Sequence, residues 1–147
     1  MNNLELLIVP LASALIAQVA KFFIPSNHSQ PSLKNIAAYS GMPSGHTAMM
    51  TSLATTAALT QGVASPYFAI SFILAVLIIR DAIGLRRYLG QHAHMLNVMV
   101  KELKSDDVLE KPYPHVLEKI GHTPIQVLVG GILGICLSLL AHFIFFA

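Results

Sequence analysis

Three long stretches of the chain contain no Asp, Glu, Lys or Arg: residues 6–20, 35–79 and 120–147. A membrane-spanning helix needs roughly 20 mostly apolar residues. The first stretch reaches this length with the apolar residues on either side of it. The second stretch is long enough for two spans, and the third supplies one more. The pattern therefore predicts about four transmembrane helices.

The second stretch contains its own turn. Residues 61–66, QGVASP, place Gly and Pro between two apolar segments and predict the connection between spans two and three. A soluble bundle is disfavoured, because residues 66–79 and 127–147 have no polar face to turn towards water. Only 11% of the 147 residues are charged, against about 25% in a soluble protein. We predict an all-α fold, a polytopic membrane helix bundle forming one integral membrane domain over residues 1–147.

The nine Lys and Arg residues fall in two segments of the chain. Lys21 and Lys34 follow the first span, and the other seven lie between residues 80 and 119. By the positive-inside rule both segments are cytoplasmic, which places the N- and C-termini outside. Basic loops beside an anionic inner leaflet are expected, and they require no nucleic-acid partner.

The longer basic segment begins with RRYLGQHAHMLNVMVKEL, residues 86–103. Tyr88, His92, Met95 and Met99 recur at spacings of three and four residues, which is typical of one face of a helix. The KPYPH stretch, residues 111–115, then breaks any helix. The pattern predicts an interfacial cytoplasmic helix between spans three and four.

Four groups of residues that contain polar or charged side chains lie at the cytoplasmic ends of the predicted spans. They are Lys21; Pro43, Ser44, Gly45 and His46; Arg80, Asp81, Arg86 and Arg87; and Gly121, His122, Thr123 and Pro124. Because the topology places all four groups on one side of the membrane, they can converge on one site.

The two histidine groups precede helices, where free backbone N–H groups and the helix dipole favour an anion. Gly45 allows a ligand to approach the backbone, and Ser44 adds a hydroxyl donor. His46 and His122 can supply proton transfer or a nucleophile.

Cations from the other two groups suit the same chemistry. Lys21 and either Arg86 or Arg87 can neutralise a phosphate, and an arginine can hold two of its oxygens at once. These residues together predict a phosphate-handling site at a membrane surface.

Structural roles explain some of the same residues. Thr123 and Gln126 have the spacing of a helix cap, which leaves His122 unexplained. Residues 43–45 can equally be a turn into a capped helix. Lys21 can be an interfacial anchor, and Asp81 can form an ion pair with Arg80 or a later arginine.

Two further features remain open. Gly130 and Gly134 form a G-x-x-x-G pattern, which favours tight helix packing either within the chain or in a homodimer. A metal site would need His46, His122 and one of His92 or His94; the last two lie on different sides of a helix, which disfavours a site made from that pair.

At these residues the chain resembles a known family. GMPSGHTA, RDAIGLRRYLGQHAHMLN and IGHTPIQVLVGGILG are similar to the signatures of the divergent branch of the type-2 phosphatidic acid phosphatase superfamily. Its members are small bacterial and plant membrane proteins related to acid phosphatases and vanadium-dependent haloperoxidases. The resemblance spans residues 21–134. It implies a metal-independent phosphatase that needs no cofactor, forms a phosphohistidine intermediate and resides in a bacterial inner (plasma) membrane.

The resemblance also assigns roles to individual residues. His46 matches the general acid and His122 the nucleophile. Gln126 stands where the wider superfamily has an aspartate that orients the nucleophile. The phosphate-binding positions match Lys21, Ser44 and Gly45.

Two positions depart from the wider superfamily. An arginine is usual six residues before the nucleophile, where this chain has Val116, so Arg86 or Arg87 would supply that charge. Asp81 would replace the missing carboxylate if it reached His122.

A second assignment of the nucleophile also exists. Arg86 and His92 have the arginine–histidine spacing, but Leu96 then occupies the aspartate position. In the divergent branch the position of His92 resembles a glutamine site, so His122 is the preferred nucleophile.

Two functions follow as expectations. The first is a phosphatase acting at the cytoplasmic face on a lipid phosphate or another phosphomonoester or diphosphate. The second is a membrane protein that binds phosphate or phospholipid without turning it over.

Overall fold

The computed structural model describes residues 4–27, 41–105, 115–118 and 120–146. Within these ranges the chain is helical and has no strand, which confirms the predicted all-α fold. The α-helices in these ranges are α1 (Glu5–Ala20), α2 (Gly45–Gln61), α3 (Pro66–Ile83), α4 (Leu85–Ser105) and α5 (Pro124–Ala141). Short helical turns follow α1, at Lys21–Phe23 and Pro25–Asn27, and a further turn, His142–Phe146, ends the described chain.

Three helices begin at capping residues that the sequence marks. Ser44, Ser65 and Thr123 precede α2, α3 and α5, and each side-chain oxygen accepts a hydrogen bond from the backbone N–H three residues later. Such a cap satisfies one of the N–H groups that a helix leaves unpaired at its start. The predicted starts of spans two, three and four are confirmed.

α2 is the central helix of the bundle and packs against α1, α3 and α5. Among the residues that the structure describes, three segments are long and apolar enough to cross a membrane: Glu5–Phe23, Pro66–Leu103 and Pro124–Phe145. α2, with 17 residues, is shorter than these segments and rich in Ala, Ser and Thr. Its small side chains let the neighbouring helices approach closely. The second predicted span is therefore a helix surrounded by the other three.

Two glycines of α5 make this close approach possible. A Cβ on Gly130 would lie 2.5 Å from the carbonyl oxygen of Ser44, and one on Gly134 would overlap the carbonyl oxygen of Ala48. The G-x-x-x-G pattern therefore packs within the chain, against α2. The predicted homodimer is not tested by this contact, but a dimer of this fold would need a different surface.

Buried hydroxyl groups join three of the helices. Ser52 of α2 accepts a hydrogen bond from Ser13 of α1 at 3.0 Å and pairs with Ser138 of α5 at 2.7 Å. All three side chains are buried. Hydrogen bonds of this kind support helix association where lipid cannot satisfy a polar group.

α4 follows α3 after a single residue, Gly84, and is strongly amphipathic. The helix predicted between spans three and four is therefore present. Asn97 connects α4 to the loop before α5. Its side-chain amide donates to the carbonyl oxygen of Val116 at 2.8 Å, and its side-chain oxygen accepts from the Val116 N–H at 2.9 Å. Of the predicted helix-breaking stretch, residues 111–114 lie outside the described residues.

Candidate active site

His122 lies in the loop that leads into α5, and this loop packs against the junction of α3 and α4. Its backbone N–H donates to the carbonyl oxygen of Ala82 at 3.1 Å. Gly121 has a φ of +93°, and a Cβ there would lie 2.8 Å from the backbone nitrogen of Arg87. This contact requires a glycine, since other residues rarely adopt that φ. The packing leaves only 5% of His122 exposed.

Gln126 performs two tasks in the first turn of α5. Its Oε1 accepts a hydrogen bond from the Thr123 N–H at 3.0 Å, which completes the predicted capping box. The same oxygen lies 3.3 Å from Nδ1 of His122. Because an amide oxygen only accepts, it favours the tautomer that carries the proton on Nδ1 and leaves the Nε2 lone pair for chemistry.

A backbone hydrogen bond connects the helix that carries His46 to the helix that follows His122. The Ser44 N–H donates to the carbonyl oxygen of Gln126 at 3.1 Å, so the start of α2 sits against the first turn of α5. His46 follows in the first turn of α2 and is half-buried. It interacts electrostatically with Arg86, Lys21 and His122.

Lys21 lies inside the protein at the end of α1, with 4% of its surface exposed. Both histidines interact with its charge. An interfacial anchor extends its ammonium towards the headgroups and the water beyond them. Burial beside two imidazoles does not fit that alternative, and it agrees with a cation that belongs to the site.

Asn27 contributes to this geometry, and the sequence analysis did not identify it. Its amide donates to the carbonyl oxygens of Lys21 at 2.9 Å and Met42 at 2.6 Å, and accepts from the Met42 N–H at 2.8 Å. The end of α1 is thus tied to the loop that carries Ser44 and His46. No motif marks Asn27, because its role depends on a fold-back of the chain after Lys21.

Asp81 and Arg86 form an ion pair, with Arg86 Nε 2.5 Å from Asp81 Oδ2. This is the structural alternative named for Asp81, with Arg86 as the later arginine. Among the described residues the hydrogen-bond partner of Asp81 is Arg86 and not His122. The expectation that Asp81 replaces the orienting carboxylate is therefore not met. Asp81 forms an ion pair with Arg86, and the group beside Nδ1 of His122 is the Gln126 side chain.

The remaining predicted phosphate ligands differ in how they are placed. Ser44 is fully buried as the cap of α2, where its Oγ accepts from Thr47. Gly45 faces α1, and a Cβ there would lie 3.3 Å from the Gln18 side chain. Both residues have structural roles that account for them. Arg87 is exposed, in contrast to the half-buried Arg86.

The alternative nucleophile is exposed, in contrast to the buried His122. His92 is exposed on α4, and His94 contacts Glu118 at 2.9 Å. In the part of the chain that the structure describes, no three His, Cys, Asp or Glu residues are grouped so that they could hold a metal ion. The structure thus brings together Lys21, His46, Asp81, Arg86, His122 and Gln126.

Comparison with known proteins identifies the family of the chain. The profile of the family described as "Divergent PAP2 family" matches residues 2–137. The chain belongs to the divergent PAP2 family. It is also 37% identical, over 95% of its length and 94% of the relative's, to the uncharacterized membrane protein YuiD of Bacillus subtilis (strain 168). No solved structure matches the chain. Membership of this family, together with three membrane-length apolar helices, shows an integral membrane protein.

In this family member the environment of His122 favours a neutral imidazole. Burial lowers the pKa of His122 below its usual value, and the charges of Lys21 and His46 act in the same direction. Hydrogen bonds with the Gln126 side chain and the Gly41 backbone oppose the shift. The net effect leaves the ring unprotonated at neutral pH, as a nucleophile requires.

This lowered pKa predicts a pH dependence of folding. An unfolded chain takes up the His122 proton near pH 6.5, at about the ordinary histidine pKa, whereas the folded protein takes it up only at a lower pH. The unfolded state therefore binds more protons than the folded state in this interval. As a result, the free energy of unfolding should decrease as the pH falls below about 6.5. The measurement is an NMR titration of the histidine Cε1–H signals, with His122→Asn identifying the relevant signal. A midpoint at or above the ordinary value would contradict the prediction.

Proposed function

We propose that the protein is a membrane-embedded, metal-independent phosphatase that hydrolyses a lipid phosphate or another phosphomonoester or diphosphate. The observation that carries the proposal is the buried His122 beside Lys21 and His46, with Nδ1 facing the Gln126 oxygen. This arrangement supplies a nucleophile, a proton donor and positive charge in one place. Family membership supports the same superfamily of chemistry.

The first step is attack by the Nε2 lone pair of His122 on phosphorus. A P–N bond forms while the P–O bond to the leaving group breaks, and protonated His46 gives its proton to the departing oxygen. This yields a phosphohistidine. Gln126 holds the ring in the reactive tautomer throughout.

The second step reverses these roles. His46, now neutral, takes a proton from a water molecule as that water attacks the phosphohistidine. The P–N bond breaks, inorganic phosphate leaves and both histidines return to their starting states.

Positive charge stabilises both transition states. Lys21 supplies a buried ammonium group. Arg86 uses Nε for Asp81, which leaves its two terminal NH₂ groups to hold phosphate oxygens. Charge stabilisation in a site shielded from water is commonly a large contribution to catalysis.

We place this site on the cytoplasmic side of an inner membrane, with both termini outside. The support is the confinement of all nine Lys and Arg residues to two segments. A cysteine-labelling experiment with impermeant reagent, using cysteines introduced at the C-terminus and in residues 106–110, tests the orientation.

The experiment that tests the activity measures phosphate release by the purified protein in detergent. Lipid phosphates, soluble phosphomonoesters and diphosphates are supplied with EDTA present. We expect release that is insensitive to EDTA and inhibited by vanadate, which adopts the five-coordinate geometry of the transition state. Release that requires a divalent cation, or no release from any substrate class, would contradict the proposal.

One observation favours a second candidate, a phosphate-binding protein without turnover. The group that orients His122 is a neutral amide, and the nearby carboxylate of Asp81 pairs with Arg86. A neutral partner stabilises an imidazolium less than a carboxylate does. Vanadate or phosphate binding without hydrolysis of any substrate would select this candidate.

A further inference from the structure

Among the residues that the structure describes, α4 contacts the rest of the protein through one of its sides. On this side Gly90 and Ala93 are buried, and Asn97 is half-buried. A Cβ on Gly90 would lie 2.5 Å from the carbonyl oxygen of Glu118, so the coil before α5 runs directly along this side. Most residues on the other sides of α4 are exposed.

A second side of α4 is apolar and exposed. Its large residues are 49–68% exposed. They are Leu85, Tyr88, Leu89, Met95, Leu96 and Met99, which we call the apolar face of α4. Together with the exposed His92, which lies among them, these positions recur every three or four residues and therefore share one side of the helix. In water such an extended and mainly apolar surface is unfavourable and indicates a binding partner.

A third side of α4 is polar and also exposed. At about 100° per residue, it lies across the helix from the centre of the apolar face. Its exposed residues are Arg87, Gln91, His94 and Lys101, with Val98 among them. The helix thus presents an apolar side and a polar side, while the flank between them contacts the protein.

The position of α4 identifies what covers its apolar face. The apolar segment Pro66–Leu103 is 38 residues long, almost twice the roughly 20 residues of one crossing. Gly84 interrupts the helix after α3, which alone has a length suited to the crossing. α4 therefore begins where α3 leaves the membrane. It carries four basic residues and one acidic residue, which suits an anionic leaflet.

From these observations we infer that α4 docks on the membrane surface. Its apolar face enters the boundary between headgroups and acyl chains of the leaflet at which α3 ends, and its polar side, with the exposed Arg87 and Lys101, faces the headgroup layer and water. The partner is the lipid surface itself. The inference does not rest on the proposed phosphatase activity.

Docking in this position would also hold the candidate site. Arg86 stands in the first turn of α4, and the backbone of Arg86 and Arg87 packs against Gly121, next to His122. A helix fixed at the leaflet thereby fixes one cation of the site and the loop that carries one histidine.

The test uses the fact that the chain contains no Trp. Leu96→Trp and Val98→Trp each introduce one fluorescent reporter, two residues apart, on the apolar face and on the polar side. Both positions are exposed, by 49% and 42%. Leu89→Trp is a second reporter on the apolar face, in case one variant fails to fold. Each variant is reconstituted in phosphatidylcholine–phosphatidylglycerol vesicles with and without brominated acyl chains, and its helix content is checked by circular dichroism.

We expect brominated chains to quench the reporter at position 96 several-fold more strongly than the reporter at 98, and aqueous iodide to show the opposite order. Three results would overturn the inference. Iodide reaching both reporters would place α4 in water, and lipid quenching of both would make α4 a membrane crossing. Protection of position 96 from both quenchers would show that protein covers the face, such as a second copy of the chain.

Discussion

The His122→Ala variant is expected to lose phosphate release by a factor of at least about 10³, because a nucleophile that forms the covalent intermediate has no substitute among its neighbours. Vanadate should still bind, since Lys21 and Arg86 remain. The measurement compares initial rates of phosphate release and vanadate affinity for wild type and variant in the same detergent. Loss of both rate and vanadate binding would indicate a collapsed site instead of a missing nucleophile.

The matched variant His92→Ala, on α4, distinguishes between His122 and His92 as the nucleophile. His92→Ala removes an exposed imidazole that is not among the charges acting on His46 and His122, so the rate should be unchanged. If His92→Ala abolished release and His122→Ala retained it, the alternative based on the Arg86–His92 spacing would be correct.

The role of His46 can be separated from that of His122 by the choice of leaving group. General acid catalysis contributes typically about 10²–10⁴-fold, and it matters least for a leaving group that needs no proton. His46→Ala should therefore lose much more activity on an alkyl phosphate than on p-nitrophenyl phosphate. His122→Ala should lose both activities alike. Equal losses for the two substrates in His46→Ala would contradict its role as the acid.

Local sequence signals were sufficient for the helices and for where they begin. Thr123 caps the helix whose start it predicts, and Ser44 and Ser65 cap helices that begin where the pattern predicts spans two and three, because a cap depends only on residues within one turn. The capping box of Thr123 and Gln126 follows from spacing in the same way. Burial of Gly130 and Gly134 follows from their spacing, although the partner helix does not.

Contacts between distant segments were beyond those signals. Asn27 hydrogen-bonds to the backbone of both Lys21 and Met42, and no periodicity in the sequence encodes this contact. The contact between Gln126 and His122 depends on the conformation of the Gln126 side chain. The spacing in the sequence predicted the cap but not this contact with the histidine. Asp81 could pair with any of several arginines, and only the break at Gly84 determines that Arg86 meets it.

α2 illustrates how small residues position a helix inside a membrane bundle. Its buried residues are mostly Ala, Ser and Thr, and these pack against α1, α3 and α5. Lipid is as apolar as a leucine side chain, so apolarity adds little to helix association there, and close backbone approach contributes more. The helix that carries His46 is thus positioned by small residues, and the site depends on the fit of α2 to α5.

Gly134→Ala is expected to lower the free energy of unfolding by about 1–3 kcal/mol, the usual cost of inserting a methyl group into a packed interior. Its Cβ would overlap the Ala48 carbonyl oxygen and the Thr51 hydroxyl, so α2 and α5 would have to move apart. The hydrogen bond from Thr51 to the Gly131 carbonyl oxygen, 3.1 Å, would be strained by the same movement. The measurement is unfolding in detergent micelles titrated with SDS, followed by circular dichroism.

Gly131→Ala is the matched control on the same helix. Its Cβ would lie 3.6 Å from Thr51 Cγ2 and 3.7 Å from Thr47 Cγ2, which are ordinary contacts. An alanine there should be neutral or stabilising, since glycine is costly in a helix interior. Equal stability of the two variants would mean that α2 and α5 are not packed as closely as the structure places them. If Gly134→Ala instead turned a dimer into a folded monomer without loss of stability, the glycines would lie between two copies of the chain. The homodimer prediction would then hold in place of the internal contact.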